Sequence, residues 1–187
     1  MPPKFKFKKE EITAAALDLV RREGKDALTA RAVGQRLGAS SKVIFGLFAN
    51  MEELHREVFH RGYGLYLDFL QQEVDRGNHP PYKAMGMAYI RFAMEEKQLF
   101  KLLFMSDHKE MGEFSGPDFE ASVKMIQEAT GLTKDQATLL HLESWVSVHG
   151  IATMHATSFL TMEEELISKV LTDTYQGLRL RHLSRED

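Results

Sequence analysis

The sequence predicts an all-α chain of about nine helices, a three-helix head over residues 1–50 followed by a larger helical body over residues 51–187. Three observations lead there. Apolar residues recur at spacings of three and four along the long stretches, and none alternates convincingly as a strand would. Glycines and helix-capping residues punctuate the chain where that periodicity breaks, as at Gly24, Gly38, Asn50, Gly131 and Thr133. Finally, the stretch from Leu28 to Leu54, LTARAVGQRLGASSKVIFGLFANMEEL, reads as two short helices around a tight turn. That is the pattern of a helix-turn-helix, whose second helix can enter the DNA major groove.

Taken in order, residues 2–8 (PPKFKFK) form a basic arm. Lys4, Lys6 and Lys8 are candidates to follow a phosphate backbone or enter a minor groove, and a solvated tail is the equal alternative. A helix follows from Lys9 to Glu23, with Ile12, Ala15, Ala16, Leu19 and Val20 at helical spacing and Gly24 as its stop. The second helix runs from Leu28 to Leu37 behind Thr29 as N-cap. Gly38 hinges the chain by taking a left-handed conformation, and Ser40 caps a third helix reaching Phe48. Val33 and Leu37 share a face of one helix, and Ile44, Leu47 and Phe48 a face of the next. Ser41, Lys42 and Gly46 therefore project away from the packed side.

Asn50, with Glu53 three residues on, starts a long helix in an Asn version of the capping box, running to about Asp75. Gly62 and Gly64 weaken its middle; close packing or bending are both open readings. Helices then span Pro81 to Glu96 and Gln98 to Met105. Beyond a loop, another begins near Pro117 and stops at Gly131. Thr133 with Gln136 caps a helix from Lys134 to Phe159, and Thr161 with Glu164 caps the last, to Arg181.

Composition narrows the function classes. At 43% apolar and 27% charged residues the chain reads as globular. With no cysteine, disulfides, thiolate metal sites and a cysteine nucleophile are excluded. The lysine-rich start lacks the apolar run of a secretory signal, and no apolar stretch is long enough to span a membrane. The expected location is cytoplasmic. No glycine-rich phosphate loop, nucleophile elbow or HExxH sequence is present, so the chain reads as a non-enzyme without a cofactor. Residues 1–50 carry ten lysines and arginines against five acidic residues; of the totals of 24 and 27, that leaves 14 against 22 for the body. A basic head on an acidic body suits a DNA-binding module joined to one that does not bind DNA.

Within the head stand Leu28-Thr29-x-Arg31-x-Val33-Gly34-x-x-Leu37-Gly38-Ala39-Ser40, then Ile44-Phe45-x-Leu47-Phe48, then Asn50-x-Glu52-x-Leu54. With these residues the stretch resembles the DNA-binding domain of the tetracycline-repressor (TetR) family of bacterial transcriptional regulators. The resemblance implies a repressor that grips double-stranded DNA with Thr29, Arg31, Ser40, Ser41, Lys42, Phe45 and Gly46, assisted by Lys4 and Lys6. Arg31 matches a family position that can reach a base edge, its planar fork suiting guanine O6 and N7; an exposed arginine without a specific partner is the alternative. Three residues depart from the family pattern. Phe45 stands for a tyrosine that meets phosphate, Leu47 for His or Tyr, and Met51 for a lysine, each removing a donor. Phe45 could instead touch a thymine methyl group. The long helix from Asn50 joins the two domains in the family, so its tilt moves the recognition helix.

Trp145-x-x-x-His149-Gly150 resembles one class of TetR ligand-binding domains. That implies a small, mostly apolar effector in the body, with Trp145 and His149 as polar handles among Phe92, Phe100, Phe104, Met105, Phe114 and Met125. Plain core is the competing reading for each of the apolar residues. The family also pairs its last two helices across a two-fold axis to form a homodimer. The available stripes are Leu139, Leu142, Val146 and Thr153 on one helix and Ile167, Val170, Leu171, Thr174 and Leu178 on the other, either of which could be intramolecular core. An alternative function is a haem or metal sensor using His55, His60, His141, His149 and His155, although their spacing matches no metal motif.

Overall fold

The computed structural model describes residues 7–107 and 118–184. Lys4, Lys6, Phe114 and Pro117, which have roles in the sequence reading, lie outside them. Among the described residues there are nine α-helices and no strand: α1 (Lys9–Glu23), α2 (Ala30–Arg36), α3 (Lys42–Phe45), α4 (Met51–Arg76), α5 (Pro81–Glu95), α6 (Lys97–Phe104), α7 (Asp118–Thr130), α8 (Lys134–Ala156) and α9 (Glu164–Leu183). A 3₁₀ turn over Lys25–Ala27 precedes α2. No described helix is long and apolar enough to cross a membrane.

The chain forms two compact units. The first takes α1, α2, α3, α4 as far as Leu67, and the segment from Glu96 that carries α6. Its core joins Ile12, Ala16 and Val20 of α1 to Val33, Ile44, Phe48, Leu54 and Val58, with Leu99 and Leu103 supplied by α6. At the start of α6, Arg21 clasps Glu96 through two guanidinium nitrogens, Nε at 2.8 Å and Nη2. Gly62 permits close packing on α6, because a Cβ there would lie 2.7 Å from Leu99 Cδ1, whereas at Gly64 it would meet nothing.

The second unit takes Asp68–Glu95 with α7, α8 and α9. Here α5 packs along α8, with Ala84, Ala88, Phe92 and Ala152 buried, while Ala137 and Leu140 of α8 cluster with Val123 and Ile126 of α7. Near its edge lies a buried carboxylate. Glu73, only 5% exposed, accepts from Arg91 Nη1 at 2.7 Å and Arg76 Nη1 at 2.9 Å. Arg91 also lies over the Phe69 ring, 5.3 Å from its centroid.

Several termini form as the sequence predicts. Thr29 Oγ1 accepts from the Ala32 amide, and Thr133 with Gln136 makes the full reciprocal box. Others differ. Asn50 Oδ1 accepts from the Glu53 amide, but Glu53 reaches back to the Ala49 amide rather than that of Asn50. The Ser40 cap is not formed: Ser41, already helical at φ −58° and ψ −17°, precedes α3, and no side chain caps it. Backbone carbonyls replace the hydroxyl, since the Val43 and Ile44 amides donate to Ser40 and Ser41 oxygens. Helix α8 stops at Ala156, short of Phe159, because Ser158 turns left-handed (φ 57°) and the Phe159 amide folds back onto Met154 O. Helix α9 is entered through Glu163, so Thr161 lies too early to cap it.

The stripe of α9 also resolves. Ile167 and Leu171 are buried in the unit's own core, while Leu139, Leu142 and Val146 of α8 remain exposed.

Candidate functional site

The turn between α2 and α3 is built on two glycines. Gly38 adopts φ 63°, the left-handed conformation that costs an L side chain energy. Gly34 faces the returning backbone, and a Cβ there would stand 3.0 Å from Ala39 O, Ser40 C and Ser41 N alike. The Ala39 amide donates to Gly34 O at 2.9 Å and closes the turn. Beyond it only Lys42–Phe45 are fully α-helical. Hydrogen bonds nevertheless continue from the Val43 amide on Ser40 O to the Phe48 amide on Ile44 O, so the rod expected over Ser40 to Phe48 forms with looser ends. The α3 helix proper stops at Gly46.

Ile44 and Phe48 anchor the rod in the core, and Lys9 Nζ sits 4.9 Å above the Phe48 ring centroid. Lys9 also pairs with Glu53 at 2.5 Å, a bond that raises the ammonium pKa and holds the Glu53 carboxyl below the usual range. Thr29, Arg31, Ser40, Lys42, Phe45 and Gly46 are exposed and Ser41 is half-buried. Arg36 pairs with Asp18, whereas neither Arg31 nor Lys42 makes an ion pair among the described residues. Among the described residues, Arg31 and Lys42 are thus exposed cations without an ion pair, beside exposed hydroxyls and the exposed Phe45 ring.

The effector candidates divide between the units. Phe100, Phe104 and Met105 belong to the first, where Phe100 is wholly buried, Phe104 packs edge-on to Tyr66 and Met105 is exposed. In the second, Phe92 is wholly buried against Phe69 and Met125 is half-buried. Trp145 and His149 come together: their rings stack at 4.8 Å, with Trp145 43% exposed. The sequence reading missed the third member, Tyr89, whose spacing marks it only as core. Its hydroxyl lies 2.9 Å from His149 Nδ1. Burial raises the Tyr89 pKa and lowers that of His149, so both neutral forms are favoured and the two groups share one hydrogen bond. Tyr82 and His141 repeat the arrangement at 2.9 Å. His155 Nε2 accepts from the Met162 amide. Among the described residues no three His, Asp or Glu side chains cluster to hold a metal ion.

Both ring pairs should make this unit acid-sensitive. Burial holds the pKa values of His141 and His149 below the ordinary histidine value, so the unfolded chain binds more protons in that window. Their contribution is complete above about pH 6.5 and is lost as the pH falls toward the folded values. Thermal unfolding followed from pH 7.5 to pH 5 should show this loss, and His141→Gln with His149→Gln should flatten it.

Residues 12–58 match the family of bacterial regulatory proteins described as the tetR family, and residues 82–173 match the tetracyclin repressor-like C-terminal domain. No curated protein matches the chain. Among solved structures, a protein of unknown function from Rhodococcus sp. RHA1 is similar over 95% of this chain and 98% of its own, at 18% identity and TM-score 0.70. A TetR variant from Acinetobacter baumannii AYE, in complex with minocycline, is similar over 95% and 99%, at 16% identity and TM-score 0.60. SmeT, the repressor of a Stenotrophomonas maltophilia multidrug efflux pump, is similar over 92% and 90%, at 17% identity and TM-score 0.55.

Proposed function

Because the chain belongs to the tetR family of bacterial regulatory proteins, we propose that it is a cytoplasmic repressor that binds a roughly palindromic operator as a homodimer and lets go when a small, mostly apolar effector binds. Residues 1–50 are the DNA-binding part and residues 51–187 the effector and dimer part. The observation that carries the reading is the two-sided rod. Ile44 and Phe48 fix it from within, while Lys42, Phe45 and Arg31 of α2 are exposed, and among the described residues neither cation has an ion-pair partner. Thr29, Ser40, Ser41 and Gly46 complete the contact surface.

The dimer is supported by apolar side chains that are exposed among the described residues. On α8, Leu139, Leu142 and Val146 (65% exposed) follow one another at helical spacing, and Leu166, Leu180 and Leu183 of α9 are also exposed. A two-fold pair built there reads half-sites about one helical turn, roughly 34 to 36 Å, apart. Trp145 and His149 are the effector contacts of the second unit, which also carries Phe92 and Met125. An effector preferring the DNA-incompetent arrangement shifts occupancy tenfold with about 1.4 kcal/mol of differential affinity. The repressor role leans on the Stenotrophomonas neighbour, and the expectation of a small-molecule effector on the minocycline bound by the Acinetobacter one; that the effector is mostly apolar leans on the methionine- and phenylalanine-rich body.

The test is selection of duplexes from a random library by the purified protein, followed by titration of the winning sequence. Affinity should fall steeply with salt. Arg31→Ala with Lys42→Ala should weaken binding about thirtyfold, roughly 2 kcal/mol for two lost contacts. Unchanged affinity in the double variant removes these residues from the interface, and the absence of any salt-sensitive binding removes the operator.

A further inference from the structure

We infer that Phe45 is a specificity-determining residue that reads a methyl group, its ring packing against the C5-methyl of one thymine in each operator half-site. The inference rests on the operator-binding reading above and deepens it. It starts from an anomaly in how the head spends its apolar side chains. Val33, Ile44, Phe48 and Leu54 are at most 1% exposed, yet Phe45, between two of them in sequence, is 54% exposed. It is the large apolar side chain of the helix-turn-helix that the fold leaves in water.

Its position gives that exposure a direction. Phe45 lies one helical turn beyond Lys42, so the two share a side of the rod, and Ile44 and Phe48 point into the core. Gly46 follows with no side chain to hold a groove wall away. The ring carries neither donor nor acceptor, so it can make no hydrogen bond to a phosphate oxygen or a polar base edge. In the major groove the apolar group displayed by a base pair is the thymine methyl. A ring resting on deoxyribose would gain similar burial but would be indifferent to the base.

The experiment uses the unmodified full chain and the operator obtained by selection. Each thymine is replaced in turn by deoxyuridine, which keeps the pairing and deletes only the methyl. One thymine per half-site should respond, by roughly fourfold for a methyl-sized apolar contact, and by about fifteenfold when both half-sites are changed. At the same position 5-methylcytosine should bind more tightly than cytosine. Phe45→Ala should bind the thymine and uracil operators equally, with Phe45→Leu between it and the parent. An operator bound tightly but insensitive to every thymine-to-uracil change overturns the inference and leaves the operator reading standing, as does a Phe45→Ala variant that still discriminates. Failure to retain any duplex overturns both.

Discussion

Replacing Glu73 by alanine will lower the unfolding temperature by roughly 6 to 20 °C, the equivalent of about 3–5 kcal/mol. The carboxylate is almost fully buried and accepts from two guanidinium groups through a single oxygen. Removing it strands Arg91, whose side chain is 21% exposed, against the Phe69 ring with its main counter-charge gone. Arg76 is exposed and can turn to water, so most of the cost falls on Arg91. Changing both partners, Glu73→Leu with Arg91→Leu, should recover much of the loss, because two neutral side chains need no desolvated partner. Thermal unfolding by circular dichroism decides; a shift within about 2 °C for the alanine variant, less than 1 kcal/mol, would show that the pair contributes little.

The second large effect is expected at Gly34. Alanine there should destabilise the head by roughly 1–3 kcal/mol and weaken operator binding beyond what the unfolded fraction explains. A new Cβ meets three backbone atoms of the turn into α3 at 3.0 Å, and the backbone can yield only by moving the rod. Gly62 is the control. Its Cβ would come even closer to a neighbour, 2.7 Å, but that neighbour is the free end of the Leu99 side chain, which can change rotamer. Alanine also favours a helix by about 1 kcal/mol over glycine, so Gly62→Ala should be near neutral. Equal losses in the two variants would refute the argument from what each methyl touches.

These two sites mark what can and cannot be read from the chain alone. The helices, the Gly38 hinge and the Thr29 and Thr133 caps follow from short-range rules, and all are present. Ser40 fails as a cap because the backbone of its own turn satisfies the first amides, which local residue preference does not reveal. Ser158 ends α8 in a conformation usually left to glycine, again invisible in composition. The ion pair at Glu73 joins residues 18 apart on two helices, and Tyr89 meets His149 across 60 residues. Periodicity says which face of a helix is apolar, not what covers it. It could not separate Ile167 and Leu171, which pack inside the unit, from Leu139 and Val146, which do not.

The brevity of α3 carries a consequence of its own. Four helical residues hold their place through Ile44 and Gly34, both of them buried. The outward letters, Ser41, Lys42 and Phe45, contribute little to that anchorage. They can be rewritten without redesigning the scaffold, so that, if the proposed operator reading holds, exchanging them should change which duplex is chosen while leaving the unfolding temperature nearly unchanged.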